Sequence, residues 1–235
     1  MIKGILFDLD NTLTDFMTMK KRCTEAAISA MIDAGLTMSK RKAEKLLYEM
    51  YFEFGIEDHS IFQKFLKKYN PQKSNKIDYA ILSAGIVAYR KVRIAEMTTY
   101  PHVRETLLNL REQGLKLGIV SDAPRLKAWL RLTEMNLVGY FDFVLGYEDS
   151  HQYKPSKVPF TKALKKMKLK HEEVVFLGDN PRRDIIGAKA MGIVSVLAKY
   201  GLDEKDKKYK KKAKANFEIK DIKNLLTIIN KLNKD

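Results

Sequence analysis

The chain has 235 residues, of which 45% are hydrophobic and 31% charged, a balance that excludes disordered and fibrous classes of protein. Lys and Arg number 44 against 29 Asp and Glu, so the formal net charge is +15. A basic excess of this size can indicate a nucleic acid, a membrane surface or anionic metabolites as partners. Because the excess is mostly lysine and the chain is poor in cysteine, we favour a composition typical of proteins from hot environments, that is, a thermophile protein, over a polyanion-binding role.

The N-terminus and the cysteine content indicate where the protein acts. Apolar residues begin at Ile2 without a signal-peptide pattern, and the sequence has no apolar stretch of the roughly eighteen residues that a membrane span needs. We therefore expect a cytoplasmic protein with no membrane partner. Cys23 is the only cysteine, which excludes an intramolecular disulfide, and its place on an apolar helical stripe predicts a position in the core.

The first predicted element is a buried parallel strand over residues 2–9, a continuous apolar run that ends in acidic residues. From about residue 17 to residue 93 the apolar residues recur instead at helical spacing, which predicts four helices. Gly35 and Gly55 would close the first two helices, and Pro71 would separate the third from the fourth. This segment is predicted to form an inserted helical subdomain, arranged as a small four-helix bundle.

Beyond Pro101 the predicted elements alternate between helix and strand. The predicted helices cover residues 103–113, 126–135, 160–167 and 184–191, and the predicted strands cover residues 116–120, 141–145, 174–177 and 194–197. Such alternation predicts an α/β fold with a Rossmann-like parallel sheet and helices on both faces, in which ligands bind at the carboxyl ends of strands. The lysine-rich segment 205–214 is predicted to be a solvated loop or short helix, followed by a last strand at 217–219 and a closing helix.

Two strand ends carry pairs of residues suited to phosphate chemistry. Asp8, Asp10 and Thr12 follow the first strand, and carboxylates at i and i+2 can project to the same side, one able to attack and the other to handle protons. Ser121 and Asp122 follow the next strand, where a hydroxyl and the following backbone N–H can both bind a phosphoryl oxygen. Taken alone, each pattern is at least as typical of a turn or a helix cap.

Two further strand ends add a cation and more carboxylates. Lys154, in a loop stiffened by Pro155, could neutralise phosphate charge, although one lysine in so lysine-rich a chain predicts little by itself. Asp179 and Asp184 lie in one Gly- and Pro-bent loop after a buried strand, and oxygen ligands of this kind suit magnesium.

In this chain order the four motifs resemble the signature motifs of the haloacid dehalogenase-like (HAD) hydrolase superfamily, and the helical insertion resembles the helical cap of its capped phosphatase branch. The resemblance extends from Met1 to about Leu232 and is strongest to the archaeal members. It implies an α/β catalytic core over residues 1–15 and 98–235 and a helical cap over residues 16–97.

The resemblance also implies a mechanism and its residues. Asp8 would attack phosphorus to form an aspartyl-phosphate, while Asp10 would protonate the leaving oxygen and later activate water. The phosphoryl group would be bound by polar residues of three motifs: Thr12, Ser121, Asp122 and Lys154. The Mg²⁺ cofactor would be held by the side chains of Asp8 and Asp179 and by the backbone carbonyl of Asp10, with Asp184 contacting it directly or through water.

Several alternatives remain open. A dehalogenase is disfavoured because, by the same resemblance, dehalogenases lack the second aspartate of the first motif, which is Asp10 here. A phosphomutase or another HAD-type hydrolase would share the first half of the chemistry. A basic nucleic-acid-binding module on an inactive scaffold would use the lysine-rich segment 205–214, but the four intact motifs argue against it.

The expected partner is a small phosphate ester. A closing cap favours small substrates because closure must exclude water. The resemblance to archaeal members suggests a sugar or triose phosphate such as glyceraldehyde 3-phosphate. We expect no nucleic-acid partner and either a monomer or a homodimer.

Overall fold

A computed structural model describes residues 1–69 and 77–234 of the chain. The chain divides into two compact units, one formed by Met1–Asp15 with Thr98–Asp235 and the other by Phe16–Met97. Pro71, which the sequence predicts to separate two helices, lies outside the described residues. In the part of the chain that the structure describes, no helix is long and apolar enough to cross a membrane.

The regular secondary structure in the described part of the unit Phe16–Met97 is helical. Its helices are α1 (Phe16–Asp33), α2 (Lys40–Phe54), α3 (Ile61–Tyr69) and α4 (Tyr79–Glu96). They enclose an apolar core that includes Met31, Leu47 and Phe65. Cys23 on α1 is fully buried, which confirms its predicted core position, and burial raises the pKa of its thiol to about 11.

The other unit is built on a six-stranded sheet whose neighbouring strands are all parallel. The strands are β1 (Gly4–Phe7), β2 (Lys116–Val120), β3 (Phe143–Leu145), β4 (Val174–Gly178), β5 (Val194–Ala198) and β6 (Phe217–Ile219). Their order across the sheet is β3-β2-β1-β4-β5-β6. The strand order therefore reverses between β1 and β4, where open α/β sheets bind ligands.

Helices connect these strands along the chain. They are α5 (Val103–Glu112), α6 (Arg125–Glu134), α7 (Tyr147–Ser150), α8 (Lys157–Met167), α9 (Ile186–Ala190), α10 (Lys210–Ala213) and α11 (Asn224–Lys234). Phe160 of α8 packs in an edge-to-face arrangement on Phe176 of β4, in a core cluster that also contains Leu6 of β1. The predicted fold class, an α/β protein with a Rossmann-like parallel sheet and an inserted helical segment, is confirmed.

The first strand and the predicted helix 184–191 differ in detail from the structure. The first strand covers Gly4–Phe7 and not residues 2–9, and the chain turns at residues 11–13, where Asn11 adopts a left-handed conformation with φ of 59°. The predicted helix 184–191 begins earlier, as a π-helical turn over Pro181–Ile185 that precedes α9. For the lysine-rich segment, the structure has the second of the two predicted alternatives, short helix, as a 3₁₀ helix over Glu204–Tyr209 followed by α10.

Candidate active site

Three carboxylates meet where the strand order reverses. Phe7 at the end of β1 aligns with Leu177 of β4, so the residues that follow both strands emerge at one edge of the sheet. The backbone N–H of Asp8 donates to the carbonyl of Leu177 at 2.9 Å. Carboxylate oxygens of Asp8, Asp179 and Asp184 all lie within 4.8 Å of one another, and all three residues are buried.

Lys154 contributes a buried ammonium to this cluster. Its Nζ lies 2.5 Å from Oδ1 of Asp8 and 2.7 Å from Oδ1 of Asp184, and it also donates to the carbonyl of Val120 at 3.0 Å. Burial alone would disfavour the charged form, but the nearby carboxylates of Asp184 and Asp8 outweigh it and raise the pKa of Lys154. Lys154 therefore stays protonated, and its ammonium contacts the carboxylate of Asp8.

Asp122 links the lysine loop to the loop after β4. Its carboxylate accepts a hydrogen bond from the backbone N–H of Lys154 at 2.9 Å and lies 3.4 Å from Nη1 of Arg183. Burial opposes the charge on Arg183, but the surrounding carboxylates raise the pKa of its guanidinium. The side chain of Asp122 thus holds two parts of the site together, and its predicted contact with phosphate would come from its backbone N–H.

Ser121 is buried and follows β2 directly. Its backbone N–H donates to the carbonyl of Leu145 in β3 at 2.9 Å, which extends the pairing of these two strands by one residue. Its hydroxyl accepts from the backbone N–H of Ala123 at 3.1 Å. The sequence predicts that this hydroxyl binds a phosphoryl oxygen, and the bond to Ala123 leaves its own hydrogen available to donate.

The first loop is held against the carboxylate cluster by Thr12. Its hydroxyl lies 3.3 Å from Oδ2 of Asp8 and 3.5 Å from Oδ1 of Asp179. A Cβ at Gly201 would come within 1.6 Å of the carbonyl oxygen of Asn11, so this close approach requires glycine at position 201. The packing fixes the loop that carries both Asp8 and Asp10.

The loop after β4 is organised around Asn180. Its side-chain Oδ1 accepts hydrogen bonds from two backbone N–H groups of the π-helical turn, each at 3.0 Å, and its backbone N–H donates to Oδ2 of Asp184 at 2.9 Å. Its Nδ2 donates to the buried carboxylate of Asp206 at 2.8 Å. Gly178 permits this turn, because a Cβ there would lie 2.5 Å from the carboxylate of Asp184.

The contributors to the site that were not identified from the sequence include Arg131 and Asp206, besides Asn180 and Arg183 of the loop after β4. Arg131 of α6 is 2% exposed, and its Nη1 lies 3.0 Å from Oδ2 of Asp10. The signal was present in the helical pattern, since Arg131 shares the buried face of α6 with Ala128 and Leu132. Asp206 had a weaker signal, a single carboxylate inside the lysine-rich segment.

The cluster has an excess of negative charge that fits a divalent cation. Four carboxylates face the two cations of Lys154 and Arg183, namely those of Asp8, Asp122, Asp179 and Asp184. Burial and the neighbouring carboxylates raise the pKa of Asp179; for Asp184, burial outweighs the attraction of Lys154 and raises its pKa as well. A hard cation with oxygen ligands would relieve this repulsion, so the residues present fit a divalent metal ion.

Fold and site together define a doubly wound α/β protein. Its cluster of buried carboxylates and Lys154 lies where the strand order reverses, between β1 and β4. The family model for the haloacid dehalogenase-like hydrolases matches residues 5–198. The chain belongs to this family of enzymes, which confirms the predicted resemblance.

Curated relatives and solved structures agree with this assignment. The chain is 33% identical over 241 residues to the glyceraldehyde 3-phosphate phosphatase of Methanocaldococcus jannaschii, and the match covers 100% of both chains. It is 32% identical over 237 residues to the enzyme of the same name from Methanopyrus kandleri, again over 100% of both chains. The crystal structure of a HAD phosphatase from Thermococcus onnurineus has a TM-score of 0.69 at 24% identity, covers 97% of this chain and 98% of its own, and supports the fold.

Proposed function

We propose that the chain is a magnesium-dependent phosphomonoester hydrolase that acts on a small phosphorylated metabolite through an aspartyl-phosphate at Asp8. The observation that carries the proposal is the environment of Asp8. Its carboxylate lies between the ammonium of Lys154 and the hydroxyl of Thr12, beside the carboxylates of Asp179 and Asp184. An anionic nucleophile placed among cation-binding groups suits attack on an anionic phosphate.

The reaction takes two displacements. An oxygen of Asp8 attacks phosphorus, the bond from phosphorus to the leaving oxygen breaks, and Asp10 gives that oxygen a proton. Water then attacks phosphorus, Asp10 takes a proton from the water, and the bond between phosphorus and Asp8 breaks. Inorganic phosphate leaves, and both carboxylates return to their starting state.

The remaining residues bind the phosphoryl group and position the nucleophile. Lys154 neutralises charge shared by Asp8 and the phosphate, because its ammonium already contacts the Asp8 carboxylate. The hydroxyl of Ser121 and the backbone N–H of Asp122 donate to phosphoryl oxygens. Thr12 restrains the orientation of the Asp8 carboxylate.

The proposed metal is Mg²⁺, held by side chains of Asp8, Asp179 and Asp184 and by the carbonyl of Asp10. When bound, it would neutralise the negative charge that the carboxylates and the phosphate bring together. The support for this assignment is the buried, repelling carboxylate cluster and the preference of Mg²⁺ for oxygen ligands.

For the substrate we propose glyceraldehyde 3-phosphate or a related sugar or triose phosphate. Two relatives with this activity in their names match the whole chain at 33% and 32% identity. We assign substrate selection to the helical unit over residues 16–97, acting as a cap, because none of the four motifs lies within it.

The lysine-rich segment gives little support to the alternative of a nucleic-acid-binding module. Three of its lysines form ion pairs with acidic neighbours: Lys205 with Asp203, Lys207 with Glu204, and Lys210 with Glu218. Lysines paired in this way contribute less to a field that would attract phosphates.

A panel of phosphorylated metabolites, assayed with Mg²⁺ and with EDTA, tests the proposal. We expect release of phosphate from a triose or sugar phosphate, its loss in EDTA and its return when Mg²⁺ is added. Asp8→Asn should abolish turnover. The matched control is Asp33→Asn at the end of α1, which removes a carboxylate distant in the chain from every motif and should retain activity. Full turnover in EDTA, or wild-type turnover by Asp8→Asn, would contradict the proposal.

A further inference from the structure

Arg131 occupies a position on α6 where an apolar residue is expected. The buried face of α6 consists of Ala128, Arg131 and Leu132, at the i, i+3 and i+4 spacing of a core-facing stripe. Only 2% of Arg131 is exposed. Burying a guanidinium is costly unless it is paired with a negative charge, so the partner of this side chain explains why it is there.

One negatively charged partner is the carboxylate of Asp10. Nη1 of Arg131 lies 3.0 Å from Oδ2 of Asp10, with side-chain exposures of 3% and 23%. The ion pair keeps the Asp10 carboxylate beside a guanidinium whose place is set by the buried face of α6. Asp8, two residues earlier, is held by a different cation, Lys154.

We propose, as an extension of the proposed function, that Arg131 is a positioning residue that fixes the direction of the Asp10 carboxylate for proton transfer. Transfer to the leaving oxygen, and later from the attacking water, requires heavy-atom separations of about 2.6 to 3.2 Å. Asp10 lies in a loop, whereas Arg131 lies in the middle of α6, between Arg125 and Glu134. The helix therefore supplies a rigid reference against which the Asp10 side chain is placed.

Arg131→Met removes the charge and keeps most of the apolar volume of the side chain. We expect it to lower kcat by about 10- to 100-fold, as is usual for loss of a residue that orients a catalytic group, with little change in KM. Arg131→Lys should recover part of this loss. The matched control is Arg125→Met on the same helix, where the guanidinium pairs with Asp149 at 3.1 Å and 55% of the side chain is exposed. It should leave kcat unchanged.

A double-mutant cycle with Asp10→Asn separates positioning from a merely structural role. If Arg131 acts through Asp10, the loss caused by Arg131→Met should almost disappear in the Asp10→Asn background. Losses that multiply would overturn the proposal, as would wild-type kcat for Arg131→Met. Circular dichroism establishes that each variant is folded, and the same cycle run with Arg131→Lys gives the answer if the methionine variant does not fold. A wild type without phosphatase activity overturns both proposals, whereas an active wild type with multiplicative losses overturns only this one.

Discussion

Asp8 and Asp10 are two residues apart, yet the fold gives their carboxylates different surroundings. Asp8 is 6% exposed and contacts the ammonium of Lys154, beside the carboxylates of Asp179 and Asp184. Asp10 has a side chain that is 23% exposed and paired with Arg131. Two carboxylates in unlike environments can take the two roles of nucleophile and proton carrier, which identical environments would not allow.

Replacement of Asp10 by asparagine tests this division of roles. The change keeps the attacking carboxylate of Asp8 and the backbone carbonyl proposed as a metal ligand. We expect a loss of about 10²- to 10⁴-fold in turnover, the usual contribution of a positioned acid or base. With p-nitrophenyl phosphate, whose leaving group needs little protonation, formation of the aspartyl-phosphate should suffer less than its hydrolysis. The phosphoenzyme should therefore accumulate and be detected by mass spectrometry after acid quenching.

The location of the label provides the control for this experiment. The added phosphoryl mass should map to a peptide that contains Asp8, and Asp8→Asn should show no label. A label on another residue, or its absence from Asp10→Asn under single-turnover conditions, would show that the two roles are assigned incorrectly.

At the scale of elements, the loop after β4 depends on a contact with the lysine-rich segment. Asp206 is 5% exposed and accepts a hydrogen bond from Asn180, which in turn organises the turn that carries Asp184. Removing the acceptor would leave the buried amide of Asn180 without this partner, at a cost of about 1 to 3 kcal/mol. The 3₁₀ helix over Glu204–Tyr209 thus supports the site although it carries none of its chemistry.

Asp206→Ala should therefore weaken the metal site as well as the fold. We expect the concentration of Mg²⁺ needed for half-maximal activity to rise by about 10- to 100-fold, because residues that orient metal ligands usually have effects of this size. Asp206→Asn keeps an acceptor oxygen and should have a smaller effect. Magnesium titrations of activity and thermal denaturation measure the two consequences.

The control for this variant is Asp203→Ala. Asp203 begins the same 3₁₀ helix, where its carboxylate accepts from the backbone N–H of Lys205 at 3.0 Å, whereas the Asn180 amide donates to Asp206. It should cost some stability, as loss of a helix cap does, and leave magnesium activation unchanged. Equal changes in magnesium activation for the two variants would show that the effect comes from the helix and not from Asp206.

The sequence predicts some parts of the site better than others, for physical reasons. Asp8 and Asp179 follow continuous apolar strands, and the ends of parallel strands meet at one edge, so their proximity follows from the pattern. Arg131 and Asp206 come from a helix and a short 3₁₀ helix whose packing the pattern does not determine. Their partners, Asp10 and Asn180, lie 121 and 26 positions away in the chain, and only the fold brings each pair together.

At the scale of the whole molecule, the chain leaves the α/β unit after Asp15 and returns to it at Thr98, and these two points of the α/β unit are neighbours. The hydroxyl of Thr14 donates to the carbonyl of Thr98 at 2.6 Å, and the backbone N–H of Tyr100 donates to the carbonyl of Leu13 at 2.9 Å. The helical unit also has an apolar core of its own. A segment with adjacent ends and a separate core can be removed with a short flexible linker in its place, at little cost in loop closure.

Replacing residues 16–97 by a Gly-Ser linker should give a folded protein that has lost substrate selection. The four motifs, with Asp8, Ser121, Lys154 and Asp179, all lie in the part that remains. We expect slow, Mg²⁺-dependent hydrolysis of p-nitrophenyl phosphate, and similar kcat/KM values for triose and sugar phosphates that the whole protein distinguishes. Circular dichroism and a cooperative thermal transition would establish that the shortened protein folds, and Asp8→Asn in the same background is the control for contaminating phosphatase. Because the shortened protein keeps the proposed chemistry but lacks the proposed cap, native selectivity in a folded sample would contradict the role of the helical unit and leave the role of Asp8 intact.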